Sequence, residues 1–112
     1  MSQKMFLMLD GVTGESTAPR QVAEIEILSF TWGRRHHSGH GGGGGGAGKI
    51  LFTDLTFFKL ADKTSPFLRL ASASGQHFRK AVLTIEDVSD SGGLLRSVIY
   101  KFESILIDSV TA

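Results

Sequence analysis

Two arginines and three histidines lie close together in this chain: Arg34, Arg35, His36, His37 and His40. Imidazole nitrogens bind zinc or nickel, and a neighbouring arginine pair suits phosphate. No acidic ligand lies beside them, and the full chain has no cysteine. A metal site on a polyglycine tether would also lose much chain entropy on closing, so the group reads as a solvated polar loop. Gly43 to Lys49 matches the G-x-x-x-x-G-K skeleton of a phosphate-binding loop, and the six glycines Gly41–Gly46 satisfy G-x-G-x-x-G trivially. The skeleton lacks its chemistry. Ile50 stands where a magnesium-binding hydroxyl is needed, and the residues that follow are strand-like, so no helix N-terminus receives the phosphate. The carboxylates Asp87, Glu103 and Asp108 are neither paired in sequence nor beside a histidine, and they read as rim or turn residues. No catalytic constellation, cofactor or metal site is expected.

Composition narrows the class. A chain of 112 residues with 41% hydrophobic and 21% charged residues is long and apolar enough for one modest core. A net charge of +1 gives no reason to expect nucleic acid as the main partner. The absence of cysteine removes disulfides and thiolate catalysis. MSQKMFLMLDG at the start is too short an apolar run for a cleavable signal, and no stretch reaches membrane-spanning length. The expectation is a protein made in the cytoplasm which, if it leaves, leaves without a cleavable signal and without membrane insertion.

The elements that position these residues read mostly as strands. Met5–Leu9 is a short apolar strand ended by Asp10-Gly11, and residues 12–21 form a loop. Val22–Trp32 is a longer strand whose hydrophobic phase flips at Ile27-Leu28. The flip predicts either a β-bulge or a strand with its two halves in different surroundings. Past it, Leu28, Phe30 and Trp32 share one side, and Ser29 and Thr31 the other. Gly33 to Lys49 is a glycine-rich loop. Leu51 to Leu60 is apolar on both alternating faces, which predicts cover on both sides. Ser65 as N-cap, Pro66 in the first turn and Gly75 at C′ delimit a helix over Ser65–Ser74. Phe67 and Leu70 are its expected packing anchors. Ala81, Leu83 and Ile85 alternate with Lys80, Thr84 and Glu86, predicting a strand with one dry side. Asp87–Gly93 is a turn, and Leu94–Val110 is the last strand, with a second phase flip near Ser104.

Read in order, these segments resemble the haemolysin-coregulated protein (Hcp) family of the type VI secretion system. The resemblance rests on DGVTGES at Asp10–Ser16, EILSFTWG at Glu26–Gly33, GGGGGGAGK at Gly41–Lys49 and DLTFFKLADKTSP at Asp54–Pro66. SGQHFRKAVLTI at Ser74–Ile85 and the closing ILIDSV complete it, so it covers nearly all the chain. It implies one domain over residues 1–112: a mainly β fold, a small two-sheet β-barrel with one short flanking α-helix and a long glycine-rich loop. Family members continue for some tens of residues past ILIDSV into further barrel strands, which are missing here.

The resemblance also implies a function. Six copies would form a ring, rings would stack into the inner tube, and a contractile sheath would expel it with its spike. Small effector proteins ride inside some such rings. The glycine-rich loop, with Gly39, Gly41, Gly42, Gly43, Gly44, Gly45, Gly46 and Gly48, would be an arm reaching a neighbouring subunit. Small hydroxyls suit a wall that a protein must pass, so Ser29 and Thr31 are the candidates for lining the lumen. Two alternatives remain: a shortened relative that forms no ring and pairs with a partner protein through an open sheet edge, and an enzyme or metal protein using the histidine loop.

Overall fold

The structure, a computed structural model, describes residues 2–36 and 50–111, with the backbone alone for residues 34–36 and 50–53. The order is β1 (Ser2–Leu9), β2 (Ile25–Ile27), β3 (Ser29–His36), β4 (Ile50–Phe58), α1 (Ser65–Ser74), β5 (His77–Val88) and β6 (Leu94–Leu106). Among the described residues the fold is mainly β, with two sheets and one short helix, and neither sheet closes into a barrel. A four-stranded antiparallel sheet runs β2-β1-β5-β6, and a two-stranded sheet pairs β3 with β4. The backbone divides into two compact units, residues 1–28 with 59–112 and residues 29–58. The glycine arm candidates Gly39, Gly41–Gly46 and Gly48, and the histidines His37 and His40, lie outside the described residues.

The four-stranded sheet holds the core of the larger unit. Residues facing each other across an antiparallel pair share a face, so the register assigns Leu7, Leu83, Ile25 and Tyr100 to one side. Phe6, Thr84 and Ile99 belong to the other. Leu83, Phe6, Ile25, Ile27, Leu9 and Ala81 are all at most 4% exposed. The expected single dry side of β5 is corrected: Thr84 and Glu86, on the face opposite Leu83, are buried as well. As an inner strand, β5 is covered on both faces by chain that sequence alternation does not reveal. The 89–93 turn carries Gly92 at φ 92° and closes with Ser89 N–H donating to the Gly93 carbonyl at 2.8 Å.

Both phase flips have structural causes. At the first, the chain leaves the four-stranded sheet after Ile27 and enters the two-stranded sheet at Ser29, so the halves of the expected strand have different partners. The strand begins at Ile25 rather than Val22, because Val22 and Ala23 form a turn with Ala23 at φ 63°. At the second, Ser104 adopts φ 57°, and half-burial passes from Phe102 to Ile105 and Ile107.

The helix spans Ser65–Ser74, as its signals predict, but Thr64 is the N-cap residue. The Asp62 carboxylate organises the entry: Oδ1 accepts from Thr64 N–H at 2.8 Å, from the Thr64 hydroxyl and from Lys59 Nζ at 2.9 Å. Ser65 Oγ instead accepts from Asp62 N–H at 3.0 Å. Gly75, at φ 68°, closes the C-terminus in the left-handed conformation, and Gln76 N–H donates to the Ala71 carbonyl. The anchor assignment is corrected. Phe67 and Leu70 are 51% and 67% exposed, while Ala71 is 1% exposed. A close approach through a small side chain leaves the larger residues on either side outside the contact.

Candidate functional site

Two polar constructions stand out, one in each unit. In the two-stranded sheet, Phe30 pairs with Phe57 and Trp32 with Leu55, and these residues are half-buried. Phe30 and Trp32 meet edge to face, with ring centroids 6.1 Å apart. The opposite face carries Ser29 beside Phe58, Thr31 directly opposite Thr56, and Gly33 beside Asp54. Ser29, Thr31, Thr56, Asp54 and Phe58 are exposed. The structure therefore brings the two sequence candidates, Ser29 and Thr31, to one face and adds Thr56, which the sequence reading missed. Thr56 lies in a run apolar on both faces, and only the register with Thr31 reveals it. The expected double cover of β4 is also corrected, since Phe58 is 54% exposed.

In the larger unit, a carboxylate that sequence alternation put on the wet side of β5 is the centre of a buried network. Glu86 is 4% exposed. Arg20 Nε donates to Glu86 Oε2 at 3.0 Å and Arg20 NH2 to Oε1 at 3.3 Å, while Gln21 Nε2 adds a bond to Oε2 at 2.9 Å. The hydrogen bond from Arg20 holds the Glu86 carboxyl below its ordinary range, against burial and with help from Gln21 and the Arg20 and Lys4 charges. Glu24 is pushed the other way, first by burial and then by the Glu86 charge. No spacing in the sequence signals this network, because Arg20 and Glu86 are 66 positions apart.

Of the carboxylates singled out in the sequence, Asp87 ties its neighbours together. Asp87 accepts from Gln3 Nε2 at 3.2 Å and Arg96 Nε at 2.9 Å. The Asp108 main-chain carbonyl accepts from the Ser72 hydroxyl at 3.1 Å, and Glu103 faces Lys80 across the β5–β6 pair. Among the described residues, no three histidine or acidic side chains stand where they could share a metal ion. No helix among them is long and apolar enough to cross a membrane.

A two-sheet β protein whose polar side chains tie loops to sheets and present an open hydroxyl face is built to offer surfaces. Comparison with known proteins identifies the kind. The family model described as "Type VI secretion system effector, Hcp" matches residues 6–112, and the chain belongs to that family of secretion-tube proteins. It is 38% identical over 112 residues to protein hcp1 of Pseudomonas aeruginosa, an alignment covering 99% of this chain and 68% of the relative. The crystal structure of Hcp1 from Salmonella typhimurium superposes with a TM-score of 0.78 at 29% identity, covering 99% of this chain and 68% of that one. A solved type six secretion system protein gives the same TM-score at 30% identity, covering 96% and 67%.

Proposed function

We propose that this chain is a ring-forming, non-enzymatic protomer of the type VI inner tube, acting over residues 1–112 as one domain. Copies close into a sixfold ring, rings stack, and the sheath and spike components of the machine are the partners. Export through the machine carries the protein out of the cell. The glycine-rich arm reaches a neighbouring subunit, and Ser29 and Thr31 line the channel, where small effector proteins ride.

The observation that carries this reading is the exposed face of the β3–β4 pair. Ser29, Thr31 and Thr56 offer short hydroxyls there, opposite the Phe30–Trp32 side. Such side chains let a protein slide past while providing adaptable hydrogen bonds. In a closed ring each position is presented once per copy, so a single substitution alters the whole circumference. Thr31→Gln tests the reading. The expected variant folds and assembles but loses effectors that co-purify with the wild type. A variant that falls apart, or one that keeps its cargo, removes Thr31 from the channel wall.

One observation favours a second reading, a protein-binding module that forms no ring. Among the described residues, β6 is an edge strand of the four-stranded sheet, and Leu95, Ile99 and Leu106 along it are 57%, 55% and 49% exposed. An apolar edge of this kind accepts a further strand from a partner.

A further inference from the structure

We propose that residues 17–22 form a strap latched to the four-stranded sheet by the Glu86 carboxylate, and that breaking this latch uncovers the cleft above Phe6. At the base of the strap, residues 14–16 and 23–24 run side by side. Gly14 N–H donates to the Ala23 carbonyl at 2.7 Å, Ala23 N–H to the Ser16 carbonyl at 2.8 Å and Ser16 N–H to the Glu24 carbonyl at 3.0 Å. The strap itself is a tight local loop: Ala18 N–H donates to Ser16 Oγ at 3.2 Å and Gln21 N–H to the Ala18 carbonyl at 3.0 Å. It reaches the sheet through three side-chain hydrogen bonds, two from Arg20 and one from Gln21, and all three end on Glu86. Beneath it is a cleft of about 180 Å³ whose lining includes Phe6, Pro19 and Val88.

The closed position carries identifiable costs. Ala23, at the base, holds φ 63°, a left-handed conformation that a residue with a Cβ adopts only under constraint. Among the described residues, Gln21 Oε1 and Glu24 Oε1 are buried with no hydrogen-bond donor in reach. Of these, the Gln21 acceptor belongs to the strap itself and is released when the strap lifts, so losing the Glu86 bonds favours the open position.

Charge around Glu86 sets when that happens. Arg20 faces it from the strap, Glu24 from the base of the strap, Lys4 from β1 across the register, and the neutral Ser97 from β6. On acidification Glu24 takes its proton first, which removes a repulsion. Glu86 yields after Glu24, because the Arg20 hydrogen bond and then the Gln21 bond and the Arg20 and Lys4 charges favour its ionised form. The latch thus survives mild acid and opens when Glu86 itself is neutralised.

Trypsin reads the strap directly, because its target bond Arg20–Gln21 lies within it. With the full chain at neutral pH, Glu86→Gln should be cut after Arg20 about tenfold faster than wild type, while cutting after Arg69 on α1 stays unchanged. Gln21→Ala, which leaves the Arg20–Glu86 pair in place, should show a smaller acceleration confined to the same bond. If Glu86→Gln unfolds, Gln21→Ala decides alone by the same two-site comparison. Equal cutting after Arg20 in wild type and in both variants overturns the latch. So does acceleration at Arg20 and Arg69 together in Gln21→Ala, which would make the strap part of the global fold.

Discussion

Arg20, near the end of an irregular loop, grips Glu86 in the middle of the four-stranded sheet through a forked pair of bonds at 3.0 and 3.3 Å. The Glu86 side chain is buried and that of Arg20 is half exposed. This contact couples stability to pH. Glu86 and Asp62 have carboxyls held below the ordinary range, Glu86 chiefly by the Arg20 bond. For Asp62, burial pushes upward but is outweighed by bonds from Thr64 and Lys59. Both groups contribute stability that is present above the carboxyl's unfolded pKa and lost as pH falls through the lowered folded value. Glu24, raised by burial and by Glu86, acts oppositely: its contribution is full below the unfolded value and lost as pH rises through the folded one. Urea midpoints should therefore rise slightly from neutrality into mild acid and fall below the ordinary carboxylate range. Glu24→Gln should remove the rise, and Glu86→Gln should flatten the fall.

Gly14 sits where the base of the loop closes. A Cβ there would come within 2.4 Å of the Glu24 carbonyl oxygen, a backbone atom that cannot move alone. Gly14→Ala should force the two segments apart and destabilise the chain by about 1–3 kcal/mol in urea unfolding.

The helix gives a paired prediction. Ala71 is 1% exposed and Phe67 is 51% exposed. Ala71→Leu should overpack the contact and lose about 1–3 kcal/mol. Phe67→Ala should change the stability of the isolated protomer by less than about 1 kcal/mol. The reverse ranking would restore Phe67 as the anchor.

Leu83 has no exposed surface and lies on an inner strand between β1 and β6. Leu83→Ala should cost about 2–5 kcal/mol, the largest loss among these single changes.

Much of the fold was legible because it is written in local periodicity. The flip at Ile27-Leu28 marked where the chain changes sheets, the flip near Ser104 marked a left-handed residue, and Ser65 to Gly75 carried helix boundaries correct to one residue. What stayed hidden was long-range. Glu86 alternates like a solvent-facing residue, and nothing in its neighbourhood announces that Arg20 and Gln21 will cover it. Phe67, Leu70 and Ala71 share the face that the i, i+3, i+4 spacing marks, but spacing cannot tell which residue of that face comes closest to its neighbours, and the contact fell to Ala71. Ser29 and Thr31 were legible as a polar strip. Thr56 was not, because cross-strand register is not a local property.

Assembly of this chain as a tube protomer is tested most directly by its mass in solution. Sedimentation velocity on purified protein should give a species of about six times the 12.1 kDa protomer. A mass that stays at 12.1 kDa at every concentration, or stops at twice that value, would contradict the account, and the doubled mass would point to pairing through the β6 edge.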